Sequence, residues 1–315
     1  MKYSFVLPAY KATFLREAID SILNQTYKDF ELIIVNDASP EGLASIVNSY
    51  SDNRIQYYVN EKNIGGTDLV AQWNHCITYA VGEYLILASD DDVYHPDYLE
   101  KMDALVDKYP KVNVFRPRVQ FVDSYGNVSC KTNLLEEFIS QVDFVFLRHQ
   151  GEVLSGIPFY IFKRSELVAN GGFINFPTAW CSDGATVIRL SSNGVVTHSE
   201  VLFSFRYSGI SISSKPNNAE MLYKKVSAAV AFYLWLEKEI ESMDITGKDE
   251  IRKCNLIRGS LDAEKRNHIV LLICASQRKT VLSCWSLLRK IKALGLSERR
   301  DICKVVFKRK FLKKY

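Results

Sequence analysis

An α/β fold with a mostly parallel sheet, followed by a helical C-terminal region, is the architecture this sequence predicts, and three observations predict it. Over the first hundred residues, short apolar runs alternate with segments of helical period, the pattern of repeated strand–helix–strand units. Polar and acidic residues follow directly on several of those runs, as expected where the carboxyl edge of a sheet lines a ligand crevice. From Ala219 onward, helix-period segments separated by polar stretches dominate.

Taken in order, Tyr3 to Leu7 reads as the first strand. Thr13 is placed to cap a helix in which Leu15, Ala18, Ile19, Ile22 and Leu23 recur at three- and four-residue spacing, an apolar face for the sheet. Leu32 to Val35 is the second strand, a helix from Glu41 to Tyr50 follows, and Ile55 to Val59 is the third strand. Leu69 to Ala80 reads as another helix and Tyr84 to Ala88 as the fourth strand. Beyond residue 100, apolar stretches broken by Gly171-Gly172, Asn193-Gly194 and Ser208-Gly209 predict strands and loops that complete the same domain. The predicted division is a domain over residues 1–214 and a basic, mainly helical region over 215–315.

At 315 residues, 47% hydrophobic and 24% charged, the composition excludes disordered, collagen-like and coiled-coil classes. The seven cysteines are odd in number and form no Cys-x-x-Cys pair, which argues against a disulfide framework and against a zinc site. The longest apolar stretches, Val226 to Leu236 and Ile269 to Ser276, are shorter than the roughly 20 residues a membrane-spanning helix needs. The N-terminus turns polar within a few residues and lacks a cleavage site, so a cytoplasmic location is expected. Charge is uneven: from Pro216 onward there are 22 Lys and Arg against 11 Asp and Glu, and before it 18 against 25.

Ser89-Asp90-Asp91-Asp92 follows the fourth strand. Adjacent carboxylates repel one another unless a cation sits among them, and hard oxygen ligands select Mg²⁺ or Mn²⁺. A solvated acidic turn leading into the next helix explains the same residues. Asn36-Asp37-Ala38-Ser39 ends the second strand, where Asp37 reads either as an acceptor for a nucleobase or ribose in the crevice or as a helix N-cap.

Together these residues resemble the family 2 glycosyltransferases with the GT-A fold. Val6-Leu7-Pro8-Ala9-Tyr10, Ser21 to Tyr27, Glu31 to Ser39, Asn63-Ile64-Gly65 and Gly82-Glu83-Tyr84 look like the opening of that family. The resemblance covers residues 3–212. It implies an inverting, metal-dependent transfer of a sugar from a nucleotide-sugar, a UDP-sugar by expectation, to an acceptor hydroxyl. By the same resemblance, Pro8, Ala9 and Tyr10 line the base pocket, Asp37 recognises the base, Asp90 and Asp91 reach the ribose and diphosphate, and Asp92 ligates the metal. Residues 1–100 would bind the nucleotide-sugar and residues 101–214 the acceptor.

Gly171-Gly172-Phe173 and Cys181-Ser182-Asp183, six residues ahead of Arg189, resemble later segments of the family and make Asp183 the expected catalytic base. A sugar hydroxyl is a poor nucleophile and needs a carboxylate to take its proton. Departures are Ser89 where relatives have Asp, Gln72-Trp73-Asn74-His75-Cys76 where many have Ala-Arg-Asn, Ser182 in place of Glu, and Arg206-Tyr207-Ser208 without the usual His. Arg206 reads either as a phosphate clamp or as a surface salt bridge.

The residues after Trp285 combine apolar positions at helical spacing with clustered Lys and Arg. That pattern suits a helix on an anionic membrane, and equally a solvated basic face or a docking helix. The pathway implied is bacterial polysaccharide or lipopolysaccharide assembly, with a glycan or lipid-linked acceptor. Nucleic-acid binding is disfavoured because no reader motif accompanies the basic residues. The rival functions are an inert sugar-nucleotide or glycan-binding module and a sugar-phosphate nucleotidyltransferase. The second should carry a Gly-rich phosphate loop where Pro8 to Ala12 has no glycine.

Overall fold

The structure is a computed structural model that describes residues 1–207, 209, 218–276 and 278–312. The predicted boundary at residue 214 lies outside the described residues. By compactness the chain divides into one unit of Met1–Ile174 with Thr186–Ser211 and a second of Asn175–Ala185 with Ile212–Tyr315.

The first unit opens with β1 (Tyr3–Ala9), α1 (Leu15–Leu23), β2 (Phe30–Asn36), α2 (Leu43–Val47), β3 (Ile55–Val59), α3 (Leu69–Cys76) and β4 (Tyr84–Leu87). It continues through β5 (Val93–Tyr94), α4 (Tyr98–Lys108), β6 (Val114–Val122), β7 (Val128–Lys131), β8 (Phe138–Ile139), α5 (Gln141–His149), β9 (Ile161–Lys163) and α6 (Arg164–Ala169). Helix α7 (Ser182–Leu190) straddles the division, and β10 (Val195–Arg206) closes the unit.

The strands form one sheet in the order β3-β2-β1-β4-β9-β6-β10-β5, with β7 on β6 and β8 on β10. The β3-β2-β1-β4 half is parallel, as predicted. All seven residues of β2 are buried, as in a parallel sheet covered on both faces, and Leu32 to Val35 supply the apolar run read from the sequence. The other half is mixed, because β9 inserts antiparallel between β4 and β6 while β6 and β10 run parallel. On one face Phe5 meets Phe30 and Tyr94 edge-to-face at 5.7 and 5.1 Å, and Tyr98 packs on Tyr94 at 4.9 Å.

Three local expectations are corrected. Thr13 does not cap α1; Phe14 holds the N-cap position, without a side-chain cap bond. The second helix is five residues long, because the Ser45 and Ser49 hydroxyls bond to the carbonyls of Gly42 and Ile46 and favour turns over helix. The predicted helix to Ala80 ends at Cys76 and continues as a tighter turn over Ile77–Tyr79. Beyond residue 100 the unit is also richer in helix than the Gly-broken pattern suggested.

The second unit holds α8 (Ala219–Ser242), α9 (Lys248–Cys274), α10 (Arg278–Leu282), α11 (Cys284–Arg289) and α12 (Leu296–Phe307). Leu222, Val226, Ile269, Ile273, Leu288 and Ile302 form its apolar core. Asn218 caps α8 by accepting from the Met221 amide at 2.8 Å. Among the described residues, no helix is long and apolar enough to cross a membrane.

Candidate active site

The first unit gathers Pro8, Ala9, Tyr10, Asp37 and Asp90 to Asp92 at the carboxyl ends of β1, β2 and β4. Parallel pairing sets Pro8 beside Val35 and Ala9 beside Asn36, so the ends of β1 and β2 are level. The Asp37 amide donates to the Ala9 carbonyl at 3.0 Å and ties the two turns together. Tyr10 is exposed, while Pro8 is half-buried and Ala9 buried.

Asp37 is 4% exposed. Its Oδ1 accepts from Asn60 Nδ2 and from the Ile64 amide, both at 2.8 Å, and its Oδ2 from the Gly65 amide at 2.7 Å. The carboxylate therefore fixes the loop after β3. A Cβ on Gly65 would come within 2.9 Å of Asp37 Oδ2, so glycine is what allows this approach. Asn60 was not singled out from the sequence; a lone Asn after a strand carries no signal beyond a turn.

Asp90 Oδ2 accepts from the Tyr10 and Lys11 amides at 3.0 and 2.9 Å, which binds the acidic turn to the end of β1. Burial raises its pKa, the charge of Asp91 adds to this, and the two amides oppose it. Asp92 is fully buried: Oδ1 accepts from the Arg206 amide at 2.8 Å, and Oδ2 has no hydrogen-bond partner among the described residues. Burial, then the Asp91 charge, push its pKa well above the usual carboxylate range, against the Arg206 amide and the Ser89 hydroxyl. Asp91 is half-buried, and among the described residues its carboxylate makes no hydrogen bond.

Arg206 is buried and meets its charge within the protein. Only 3% exposed, it pairs with Glu17 at 2.6 Å, donates through Nε to the Asp91 carbonyl at 2.8 Å, and lies 4.5 Å over the Phe14 ring. Its backbone and side chain together brace the acidic turn against α1. The sequence could not show this, because every partner lies at least 80 residues away.

Among the described residues no group of three or more His, Cys, Asp or Glu forms a metal cage. The acidic turn nonetheless fits a divalent cation shared with substrate phosphates. Such a cation is usually held by one or two carboxylates, and here one buried carboxylate oxygen lacks a partner beside an unbonded Asp91.

Trp73 packs edge-to-face on Phe173 at 5.8 Å. Its neighbour Asn74 accepts from the Phe173 amide at 2.8 Å and donates to the Phe173 carbonyl at 3.1 Å. The Trp-Asn-x-Cys and Gly-Gly-Phe segments are thus two halves of one clamp.

Asp183 belongs to the second unit, in the first turn of α7, half-buried, with Oδ1 accepting from the Gly184 amide at 2.7 Å. Just before it, Thr178, Ala179 and Cys181 hold left-handed φ values of 60°, 57° and 70°. Non-glycine residues pay for such conformations, and they concentrate at functional sites. Ser182, fully buried, accepts through Oγ from the Phe176 amide at 3.1 Å.

A model of the family described as glycosyl transferase family 2 matches residues 4–164, slightly more than half of the chain. EpsE of Bacillus subtilis, a protein named as a glycosyltransferase, is 36% identical over 115 residues, covering 36% of this chain and 40% of EpsE. The uncharacterized glycosyltransferase RT0329 of Rickettsia typhi is 38% identical over 112 residues, 35% of this chain and 34% of that protein. The chain therefore spans less than half the length of these curated relatives. Among solved structures, residues 1–349 of Staphylococcus aureus TarS in complex with UDP-GlcNAc match with a TM-score of 0.66 at 17% identity, over 99% of this chain and 93% of that one. The mannosyltransferase PcManGT of Pyrobaculum calidifontis in complex with GDP-Man and Mn²⁺ matches at 0.55 and 15% identity, over 99% and 88%. At such identities the structural likeness is one of fold. With its N-terminal half matched by the family model and a GT-A-like fold shared along nearly its whole length, the chain belongs to glycosyl transferase family 2.

Proposed function

We propose that the chain transfers a sugar from a nucleotide-sugar, a UDP-sugar in the first instance, to the hydroxyl of a glycan or lipid-linked acceptor in polysaccharide or lipopolysaccharide assembly. The observation that carries this reading is the acidic turn itself. Asp90 is held by amides at the end of β1, beside an unbonded Asp91 and a buried, half-satisfied Asp92. Family membership and the UDP-GlcNAc and GDP-Man bound by the structural neighbours support it.

In this reading residues 1–100 bind the donor, residues 101–214 the acceptor, and 215–315 form a separate helical region. Pro8, Ala9 and Tyr10 line the base pocket. Asp37 fixes the loop through Gly65 and keeps acceptor capacity on Oδ2 for the base. Asp90 and Asp91 serve the ribose and diphosphate, and Asp92, with Asp91 beside it, would hold Mn²⁺ or Mg²⁺. When bound, that cation supplies charge to offset the departing nucleoside diphosphate. Asp183 takes the proton of the acceptor hydroxyl as the new oxygen–carbon bond forms and the sugar–phosphate bond breaks, in a single inverting displacement.

Calorimetric titration of UDP, GDP and dTDP, each with and without Mn²⁺, tests the donor site in the full chain and in Asp92→Ala and Asp91→Ala variants. Metal-dependent binding of one nucleotide, lost in either variant, is expected. Folded protein that binds none of the three would point to an inert glycan-binding module, the reading that Ser182 in place of Glu favours.

A further inference from the structure

Three cysteines far apart in the sequence converge on the apolar core of the second unit. Cys274 ends α9, Cys284 opens α11 and Cys303 lies within α12, and all three are half-buried against that core. Two of them touch: the Sγ atoms of Cys284 and Cys303 are 3.5 Å apart and share a hydrogen bond. Both are free thiols.

Helix geometry holds the two thiols together. Leu287 and Leu288, three and four residues after Cys284, are the buried residues of α11, so Cys284 shares their face. Cys303 follows directly on Ile302, which with Val306 is buried on α12. A second contact sets the direction of packing: Arg299, one turn before Cys303, donates to the Ile291 carbonyl at 3.0 Å. α12 therefore runs antiparallel to residues 284–291. Past Cys303, Arg309 donates to Asn267 at 3.4 Å and Lys310 to the Cys274 carbonyl at 2.8 Å, so the basic end of α12 rests on α9.

We propose that Cys284 and Cys303 form a reversible disulfide that locks α12 to α11. The oxidant is a small-molecule disulfide of the glutathione class. Burial, then the hydrogen bond with Cys284 and its charge, push the Cys303 pKa up to about 12, so Cys303 stays protonated and the exchange starts at Cys284. The Cys284 thiolate attacks one sulfur of the oxidant, breaking its S–S bond and releasing one small thiolate. With Cys284 in the mixed disulfide, its charge no longer opposes the ionisation of Cys303. Cys303 then attacks Cys284 Sγ and releases the second small thiolate. The two protein thiols lose two electrons, the small disulfide gains them, and the two thiol protons pass through solvent to the thiolates released. The sulfurs have to close from 3.5 Å to about 2.05 Å, a movement within reach of side-chain rotation. A bond between residues 19 apart removes conformations in which α12 leaves α11. The pair is independent of the transferase reading.

The test is incubation of the full chain with oxidised glutathione, followed by tryptic peptide mapping without reductant. Expected is a linked pair of peptides, residues 280–289 with residues 301–304, that disappears on adding dithiothreitol and is missing from Cys284→Ser and Cys303→Ser. Amide hydrogen exchange over Leu296–Phe307 should slow at least about tenfold in the oxidised chain, and should not slow in either serine variant treated alike. The pairing is overturned by an absent link, by one that forms only in urea, or by one that joins residues 267–278, which hold Cys274, to either peptide. Glutathione retained on Cys284 with no internal bond overturns it as well. A link between Cys284 and Cys303 that leaves exchange unchanged overturns the lock.

Discussion

At Gly172 the backbone holds φ at +83°, and an added Cβ would collide with Asn74 Oδ1, the atom that receives the Phe173 amide. Gly172→Ala must therefore either break the clamp or strain the turn, and a loss of about 2 kcal/mol in urea unfolding is expected. Asp183 makes a different kind of prediction. Asp183→Asn keeps the size of the side chain and removes its basicity, so transfer should fall by at least about a hundredfold while UDP affinity stays within about twofold. Parallel loss of both would remove Asp183 from the chemistry. Asp37 and Asp90 to Asp92 stood out in the sequence because each follows a strand that apolar content alone identifies. Arg206 and Asn74 were visible only as members of their segments, and their roles were not legible, since their work consists of bonds to segments far along the chain.

The parallel half of the sheet was legible for a physical reason: each buried strand is centred on an apolar run, and the covering helix α1 is apolar on one face. The α2 segment misled because Ser45 and Ser49 bond back to the main chain, an effect that hydrophobic spacing does not register. The insertion of β9 between β4 and β6 is a pairing choice between distant segments, and local pattern does not encode it. At the entry to β3, Arg54 joins several elements: it binds Asp52 at 2.6 Å, donates to the Leu23 carbonyl at the end of α1, and lies 4.5 Å over Phe30. The Arg54 hydrogen bonds hold the Asp52 pKa down to about 2, from 3.8, against the effect of burial. The stabilisation is complete above the unfolded value and lost as pH falls through the folded one. Asp52→Asn should thus cost about 1 kcal/mol at pH 7, allowing for partial exposure, and the gap from wild type should close in melts taken as the pH drops from 4 toward 2.

Over the whole molecule, charge is divided: the residues from Pro216 onward carry twice as many basic as acidic side chains, while the rest is acidic. If that region meets an anionic surface, co-sedimentation with phosphatidylglycerol vesicles should fall steeply between 50 and 300 mM salt, and neutral vesicles should retain little protein. Binding indifferent to salt and lipid charge would remove membrane attachment from the account. The two long helices, α8 and α9, were foreseen as helical from their spacing, whereas the inclusion of Asn175–Ala185 in their unit was not, since nothing in that short segment distinguishes it from the loops around it.

The brace formed by Arg206 also bears on how the protein is made. The acidic turn is complete in sequence by residue 92, yet the amide, carbonyl contact and ion pair that hold it come from a residue more than a hundred positions later. A nascent chain emerging from the ribosome would display Asp91 and Asp92 long before β10 arrives to brace them. The crevice can take its final form only once the last strand of the sheet has been synthesised, so a fragment ending where the family match ends, at residue 164, would keep the bonds of Asp90 to the end of β1 but lack the Arg206 contacts that brace Asp91 and Asp92.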